Sequence, residues 1–232
     1  VDGANYRALE FTGDLLPKLS VSERFTFCNM AIEMGGKAGL IAPDEVTREW
    51  LRGRTDREYP MIQAHNPHYE RTFVIDASRL QPSVACPPDV NNVVPAEQVQ
   101  DIEIDQVFIG TCTNGRLDDL AIAANILRGR TISPRTRMVV IPASREVYLE
   151  AMRLGYLEIF ARAGASVGTP GCGPCIGRHF GVLAPGERAL TTMNRNFTGR
   201  MGDPTSEIYL GSPATAAATA ITGHITDPRE FL

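Results

Sequence analysis

From Asp105 onward, short runs of apolar, often β-branched residues alternate with longer segments of helical periodicity. This alternation is typical of βαβ units, in which helices pack on a parallel sheet. The predicted strands are Gln106–Gly110, Arg137–Ile141, Ala165–Gly168 and Arg188–Thr191. The predicted helices are Leu117–Leu127, Arg145–Leu154 and, after the cap and proline of Ser212-Pro213, Ala214–Ile221. The pattern therefore predicts an α/β fold with a largely parallel sheet.

The first part of the chain contains two predicted helices and one predicted strand. Ser20 and Glu23 have the spacing of a capping box and precede an apolar run, which predicts a helix that ends at residues 35–36, a pair of glycines. A second, short helix is predicted after Pro43, and alternation predicts a strand over Thr72–Asp76.

A polar tract rich in proline follows that strand, and we place a domain boundary inside it, near Pro95. Residues 1–95 are expected to form an incomplete α/β domain whose remaining strands lie upstream. Residues 96–232 are expected to form a second α/β domain. The chain begins with Val1 and runs directly into patterned sequence, so we expect it to be part of a longer protein.

Composition excludes several classes of protein. The chain has 232 residues, with 23 Lys and Arg against 27 Asp and Glu, for a formal net charge of −4. Such a chain lacks the basic patches of a nucleic-acid-binding protein. Its apolar runs are far shorter than a membrane span, and no secretory signal is visible. We therefore expect no nucleic acid or membrane as partner, and a location in the reducing cytoplasm.

Candidate metal chemistry is concentrated in three cysteines. Cys172 and Cys175 form a C-x-x-C motif in TPGCGPCIGRHFG. Such a motif can be a redox pair, half of a zinc site or part of an iron–sulfur site, and the glycines do not choose among them. Cys112 follows the predicted strand Gln106–Gly110. Because the carboxyl ends of parallel strands meet at one sheet edge, the three thiols are expected to converge there. Cys28 and Cys86 are interpreted as core residues.

Two kinds of site could use three such cysteines. A structural zinc ion needs four ligands, and His179 could supply the fourth. A 4Fe-4S cluster held by three cysteines would leave one iron open to substrate. Arg195 and Arg200, in a glycine-containing loop with Asn194, favour the second interpretation, because guanidinium groups bind carboxylates.

The segments IGTCTNGR, PGCGPCIG and NRNFTGR together resemble the aconitase superfamily, within it the large subunits of the 3-isopropylmalate dehydratase and homoaconitase type. The resemblance implies a three-layer α/β/α fold. It also implies that Cys112, Cys172 and Cys175 bind a 4Fe-4S cluster. Two further segments resemble the family: in ALEFTG, Glu10 matches an active-site glutamate, and in TFCNM, Asn29 matches an asparagine near the cluster.

The same resemblance implies a hydro-lyase that moves the hydroxyl group of a 2-hydroxy di- or tricarboxylic acid through an alkene intermediate. Asn194, Arg195 and Arg200 would bind the substrate, and Glu10 would be catalytic, near the iron-bound water or hydroxyl. The serine base would come from a separate small subunit, and the D-H and D-S-H-T motifs of the family's earlier half are absent here. We therefore expect the chain alone to be inactive. The rival interpretation is a non-catalytic zinc or iron–sulfur module.

Overall fold

Ser20 begins the first long helix of the computed structural model, which describes residues 2–232. Its hydroxyl accepts a hydrogen bond from the Glu23 amide at 3.2 Å, and the Glu23 carboxylate accepts one from the Ser20 amide at 2.7 Å. This capping box starts helix α1, Val21–Met30, which continues as the 3-10 helix Ala31–Met34 and ends at Gly35 with φ of 79°. The predicted helix is confirmed.

The chain divides into two structural units, residues 1–80 and 81–232. The N-terminal unit contains α1 and a pair of parallel strands, β1 (Ala8–Phe11) and β2 (Ala38–Ile41). Helix α2, Glu45–Leu51, begins at Asp44. Both Asp44 carboxylate oxygens accept hydrogen bonds, at 2.7 Å, from the buried guanidinium of Arg24 in α1, and this ion pair joins the two helices.

The predicted strand Thr72–Asp76 is wrong. These residues have no regular structure, and the side chains of Phe73, Val74 and Ile75 are 77%, 93% and 75% exposed. The apolar run is too short, and its setting too polar, to bury itself, and no strand among residues 2–232 pairs with it.

The C-terminal unit is built on a seven-stranded sheet in the order β4-β3-β9-β8-β5-β6-β7. Its strands are β3 (Ser83–Ala85), β4 (Val93–Pro95), β5 (Gln106–Gly110), β6 (Arg137–Ile141), β7 (Ser166–Val167), β8 (Arg188–Thr191) and β9 (Glu207–Leu210). Strands β5 to β9 pair in parallel, and β3 pairs antiparallel with β4 and β9. The predicted parallel strands are confirmed, while β3, β4 and β9 were not predicted.

The division between the units lies earlier in the chain than the boundary expected near Pro95. The reason is that Ser83–Ala85 and Val93–Pro95 hydrogen bond into the sheet of the C-terminal unit, so the proline-bearing tract between them is a connection within that unit.

The helices of this unit are the short α3 (Thr111–Asn114), followed by α4 (Leu117–Leu127), α5 (Arg145–Arg153), α6 (Tyr156–Ala163) and α7 (Pro213–Thr222). Further 3-10 helices of the N-terminal unit are Asp2–Ala4, Leu16–Lys18 and Ala77–Arg79. Those of the C-terminal unit are Ala96–Val99, Gly173–Ile176 and Pro228–Phe231. Among residues 2–232, no helix combines the length and the apolar character that a membrane span needs.

The two faces of the large sheet are covered differently. Val107, Ile109 and Val140 point to a core shared with helices α4 to α7. Phe108 and Ile141 point to the other face, where they pack against a segment that runs from the 3-10 helix after β7 to the loop after β8. The sheet and its helices confirm the α/β class, and this segment supplies the layer on the second face.

Candidate functional site

Three chain segments leave the sheet at its carboxyl edge, because β5, β7 and β8 are parallel. Cys112 lies in the turn after β5, and its side chain is exposed. The residue before it, Thr111, is buried and has φ of 75°, which a β-branched residue rarely adopts. The Cys112 turn is therefore strained backbone held in place by its surroundings.

The C-x-x-C motif forms a tight turn on the second face of the sheet. Cys172 precedes the 3-10 helix Gly173–Ile176, and the Cys175 amide donates to the Cys172 carbonyl at 3.1 Å. Gly177, with φ of 69°, ends the turn. Cys172 is exposed and Cys175 is buried, so the two thiols of the motif have different environments.

The three thiols are close enough to interact electrostatically. Burial raises the pKa of the Cys175 thiol, the nearby Cys112 and Cys172 raise it further, and Arg200 acts in the opposite direction. The Arg200 Nη2 atom donates to Cys175 Sγ at 3.7 Å. The structure thus places Arg200 against Cys175, with Cys172 and Cys112 near enough to affect the pKa of the Cys175 thiol.

Arg200 belongs to a loop that follows β8 and carries the other predicted substrate ligands, Asn194 and Arg195, both of them half-buried. The Arg200 guanidinium lies over the Phe197 ring, 5.5 Å from the centroid. The Nε atom of Arg200 is buried without a hydrogen-bond partner, and within residues 2–232 no carboxylate forms an ion pair with this side chain. A half-buried cation without a carboxylate partner is suited to bind an anionic ligand.

A buried amide anchors this loop. Asn196 is 2% exposed, and its Nδ2 atom donates to the carbonyl oxygens of Cys86 at 2.9 Å and Ala85 at 3.4 Å. The sequence placed Asn196 in the arginine loop but gave it no role, because the anchor depends on β3, which was not predicted.

Glu10 and Asn29 lie in the N-terminal unit, Glu10 on β1 and Asn29 near the end of α1. The Glu10 carboxylate accepts a hydrogen bond from the hydroxyl of Tyr69, and this bond raises the pKa of the Tyr69 phenol. Sequence reasoning missed Tyr69, which lies in a segment without regular structure.

The ring of His179 packs edge-on against Phe180, with the centroids 4.9 Å apart. Among residues 2–232, no contact joins this ring to the cysteines. Within residues 2–232, no three His, Cys, Asp or Glu side chains converge as a single metal ion would require. This arrangement gives no support to a zinc ion on Cys112, Cys172, Cys175 and His179, whose ligand atoms would all lie about 2.0–2.3 Å from one point.

The fold and the site define an α/β protein that places a guanidinium against the thiol of Cys175, beside a largely parallel sheet. Residues 1–223 match the Aconitase family (aconitate hydratase), and the chain belongs to this family.

Curated relatives cover the whole chain. It is 52% identical over 232 residues to the 3-isopropylmalate dehydratase large subunit 1 of Methanopyrus kandleri, covering 100% of this chain and 56% of that protein. It is 50% identical over 231 residues to the probable methanogen homoaconitase large subunit of Methanothermobacter thermautotrophicus, covering 99% and 54%. The chain thus spans about half the length of the curated relatives it matches.

Among solved structures, the holo form of Thermococcus kodakaraensis aconitase X aligns with a TM-score of 0.42 and 17% identity, covering 83% of this chain and 49% of that one.

Proposed function

We propose that this chain is the cluster-bearing part of the large subunit of a hydro-lyase that acts on a 2-hydroxy di- or tricarboxylic acid. The observation that carries the proposal is the position of Arg200, a half-buried cation without a carboxylate partner in residues 2–232, whose Nη2 atom lies 3.7 Å from Cys175 Sγ. A site for an anionic substrate thus adjoins a site for a thiolate-bound cofactor. The names of the relatives support the same class of reaction.

The proposed cofactor is a 4Fe-4S cluster on Cys112, Cys172 and Cys175. The donor set fits, because cysteine thiolates are the usual ligands of such clusters, and each would bind a different iron rather than converge on one ion. When bound, a cluster with three cysteine ligands offers an open iron that can act as a Lewis acid on a hydroxyl oxygen.

The arginine loop is proposed to bind the substrate. Arg195 and Arg200 would hold its carboxylates through charge-assisted hydrogen bonds, and Asn194 would donate to the cofactor or the substrate. Glu10 is proposed to exchange a proton near the reacting hydroxyl, with Tyr69 orienting its carboxylate.

The proposed partner is a small subunit that supplies the base for removing the proton from the adjacent carbon. The large-subunit names of the relatives support such a partner. Isopropylmalate and homoaconitate are the substrates that these names indicate. Because the chain spans about half the length of those relatives, we expect it to be inactive without the remaining parts. We propose a cytoplasmic location, where thiols stay reduced.

Anaerobic reconstitution with ferrous iron and sulfide tests the proposal. We expect about four irons per chain and a removable iron detected by paramagnetic resonance. Separate Cys112→Ser, Cys172→Ser and Cys175→Ser variants should lose the cluster, whereas Cys28→Ser, a matched change in α1, should retain it. One zinc per chain that survives in air, with no cluster, would instead identify a non-catalytic metal module and refute the hydro-lyase.

A further inference from the structure

Thr192, the first residue after β8, makes several hydrogen bonds to the chain around Cys112. Its side chain is buried, with 2% of the residue exposed. The hydroxyl accepts from the Gly110 amide at 3.1 Å and lies 2.9 Å from the Asn114 carbonyl oxygen, to which it donates. The Thr192 amide donates to the Phe108 carbonyl at 3.1 Å. Thr192 therefore contacts both ends of the turn formed by residues 110–114.

Gly110 and Asn114 form a β-bridge that closes this turn, but the backbone conformation inside the turn is not one that its residues prefer. Thr111 has φ of 75°, a backbone conformation that costs about 1–3 kcal/mol for such a residue and persists only where the surroundings impose it. Within the turn, the Thr111 hydroxyl accepts from the Thr113 amide at 3.2 Å. The Thr192 hydroxyl adds a link from outside the turn, because it bonds residues on either side of Cys112.

We infer that Thr192 is a positioning residue whose hydroxyl holds the strained turn at residues 110–114 and thereby fixes the position of Cys112. Because Thr192 also begins the loop that carries Arg195 and Arg200, the same residue sets the cysteine and the arginines relative to each other. The part of this inference that concerns a bound cluster rests on the proposed function.

The first test needs no cofactor. Thr192→Val keeps the size of the side chain and removes the hydroxyl, so the Gly110 amide loses its side-chain acceptor. Amide hydrogen exchange at Gly110, measured by NMR on the full-length protein, should become about tenfold faster, as expected for one net hydrogen bond lost. Thr192→Ser restores a hydroxyl and should exchange like the parent protein. If Thr192→Val fails to fold, Thr192→Ala provides the same comparison.

Thr136→Val is the matched control. The Thr136 residue is also buried, at 5% exposed, and its hydroxyl donates to the Ile104 carbonyl at 2.9 Å, but it precedes β6 at the opposite edge of the sheet. Its variant should leave exchange at Gly110 unchanged. Equal rates in Thr192→Val and the parent, or an equal rise in Thr136→Val, would overturn the inference.

The second test uses reconstituted protein and measures iron loss to a chelator. Thr192→Val should lose iron about tenfold faster than the parent, Thr192→Ser and Thr136→Val. Faster exchange at Gly110 with unchanged iron loss would overturn the positioning of Cys112. If the parent protein takes up no cluster, the proposed function fails, while the exchange measurement still decides whether Thr192 holds the turn.

Discussion

Adding one methyl group at Gly173 is expected to disrupt the C-x-x-C turn. Gly173 has φ of +52°, and a Cβ atom built there would lie 2.2 Å from Cδ1 of Ile141. The left-handed backbone costs about 1–2 kcal/mol for a residue with a Cβ atom. Inserting a methyl group into packed surroundings adds about 1–3 kcal/mol, reduced where the Ile141 side chain can rotate away. Gly173→Ala should therefore destabilise the turn by about 2–4 kcal/mol.

Gly171→Ala is the matched control, since this glycine flanks Cys172 on the other side. Its φ is not in the left-handed region, and the nearest atom to a Cβ there is the Thr169 carbonyl oxygen at 3.9 Å. Iron content after reconstitution and urea unfolding measure the two effects. We expect Gly173→Ala to retain less iron and to unfold at lower urea, with Gly171→Ala close to the parent. Indistinguishable behaviour of the two variants would refute the packing argument.

Three further predictions concern residues other than the proposed cluster ligands and their turns. Asn196→Ala should lower the free energy of unfolding by about 1–2 kcal/mol and raise KM in the complete enzyme. Asn92→Ala, which removes an exposed hydrogen bond from the side-chain amide to the Pro87 carbonyl, should do neither. Asp44→Asn should cost about 1–2 kcal/mol at neutral pH. Hydrogen bonds from Arg24 lower the pKa of Asp44 from 3.8 to about 2, so a urea series should show this loss shrinking as pH falls through that range. Burial and, to a smaller extent, the charge of Glu207 raise the pKa of Tyr209 to about 12. An ultraviolet titration that gave Tyr209 an ordinary pKa near 10 would contradict its buried position.

Local signals predicted the fold wherever they were strong. The capping box at Ser20 and the apolar runs of β5 and β6 could be located because caps and buried strands are encoded by neighbouring residues. Strand β9 was missed because its Glu207–Leu210 run has no helical segment between it and β8 to indicate a crossover. Thr72–Asp76 was wrong because an apolar run predicts a strand only where a partner exists.

The residues of the candidate site also differ in how far the sequence alone could indicate them. The cysteines and arginines could be singled out from the sequence, because their residue types and spacing suggest their chemistry. Thr192 and Asn196 could not, since each is an ordinary polar residue whose role depends on the segment it meets: residues 110–114 for Thr192, and Ala85 and Cys86 for Asn196. Residues that act through tertiary hydrogen bonds leave no periodic or spacing signal.

Ile141 connects these observations, because the backbones of both cysteine-bearing segments approach the end of β6. Gly110 is its register partner on β5, and a Cβ atom at Gly110 would lie 2.7 Å from the Ile141 carbonyl oxygen. Its side chain is the one that a Cβ atom at Gly173 would strike. Both turns thus lie against the same fully buried core residue. Because packed cores deform little, the contacts of Ile141 restrain both turns.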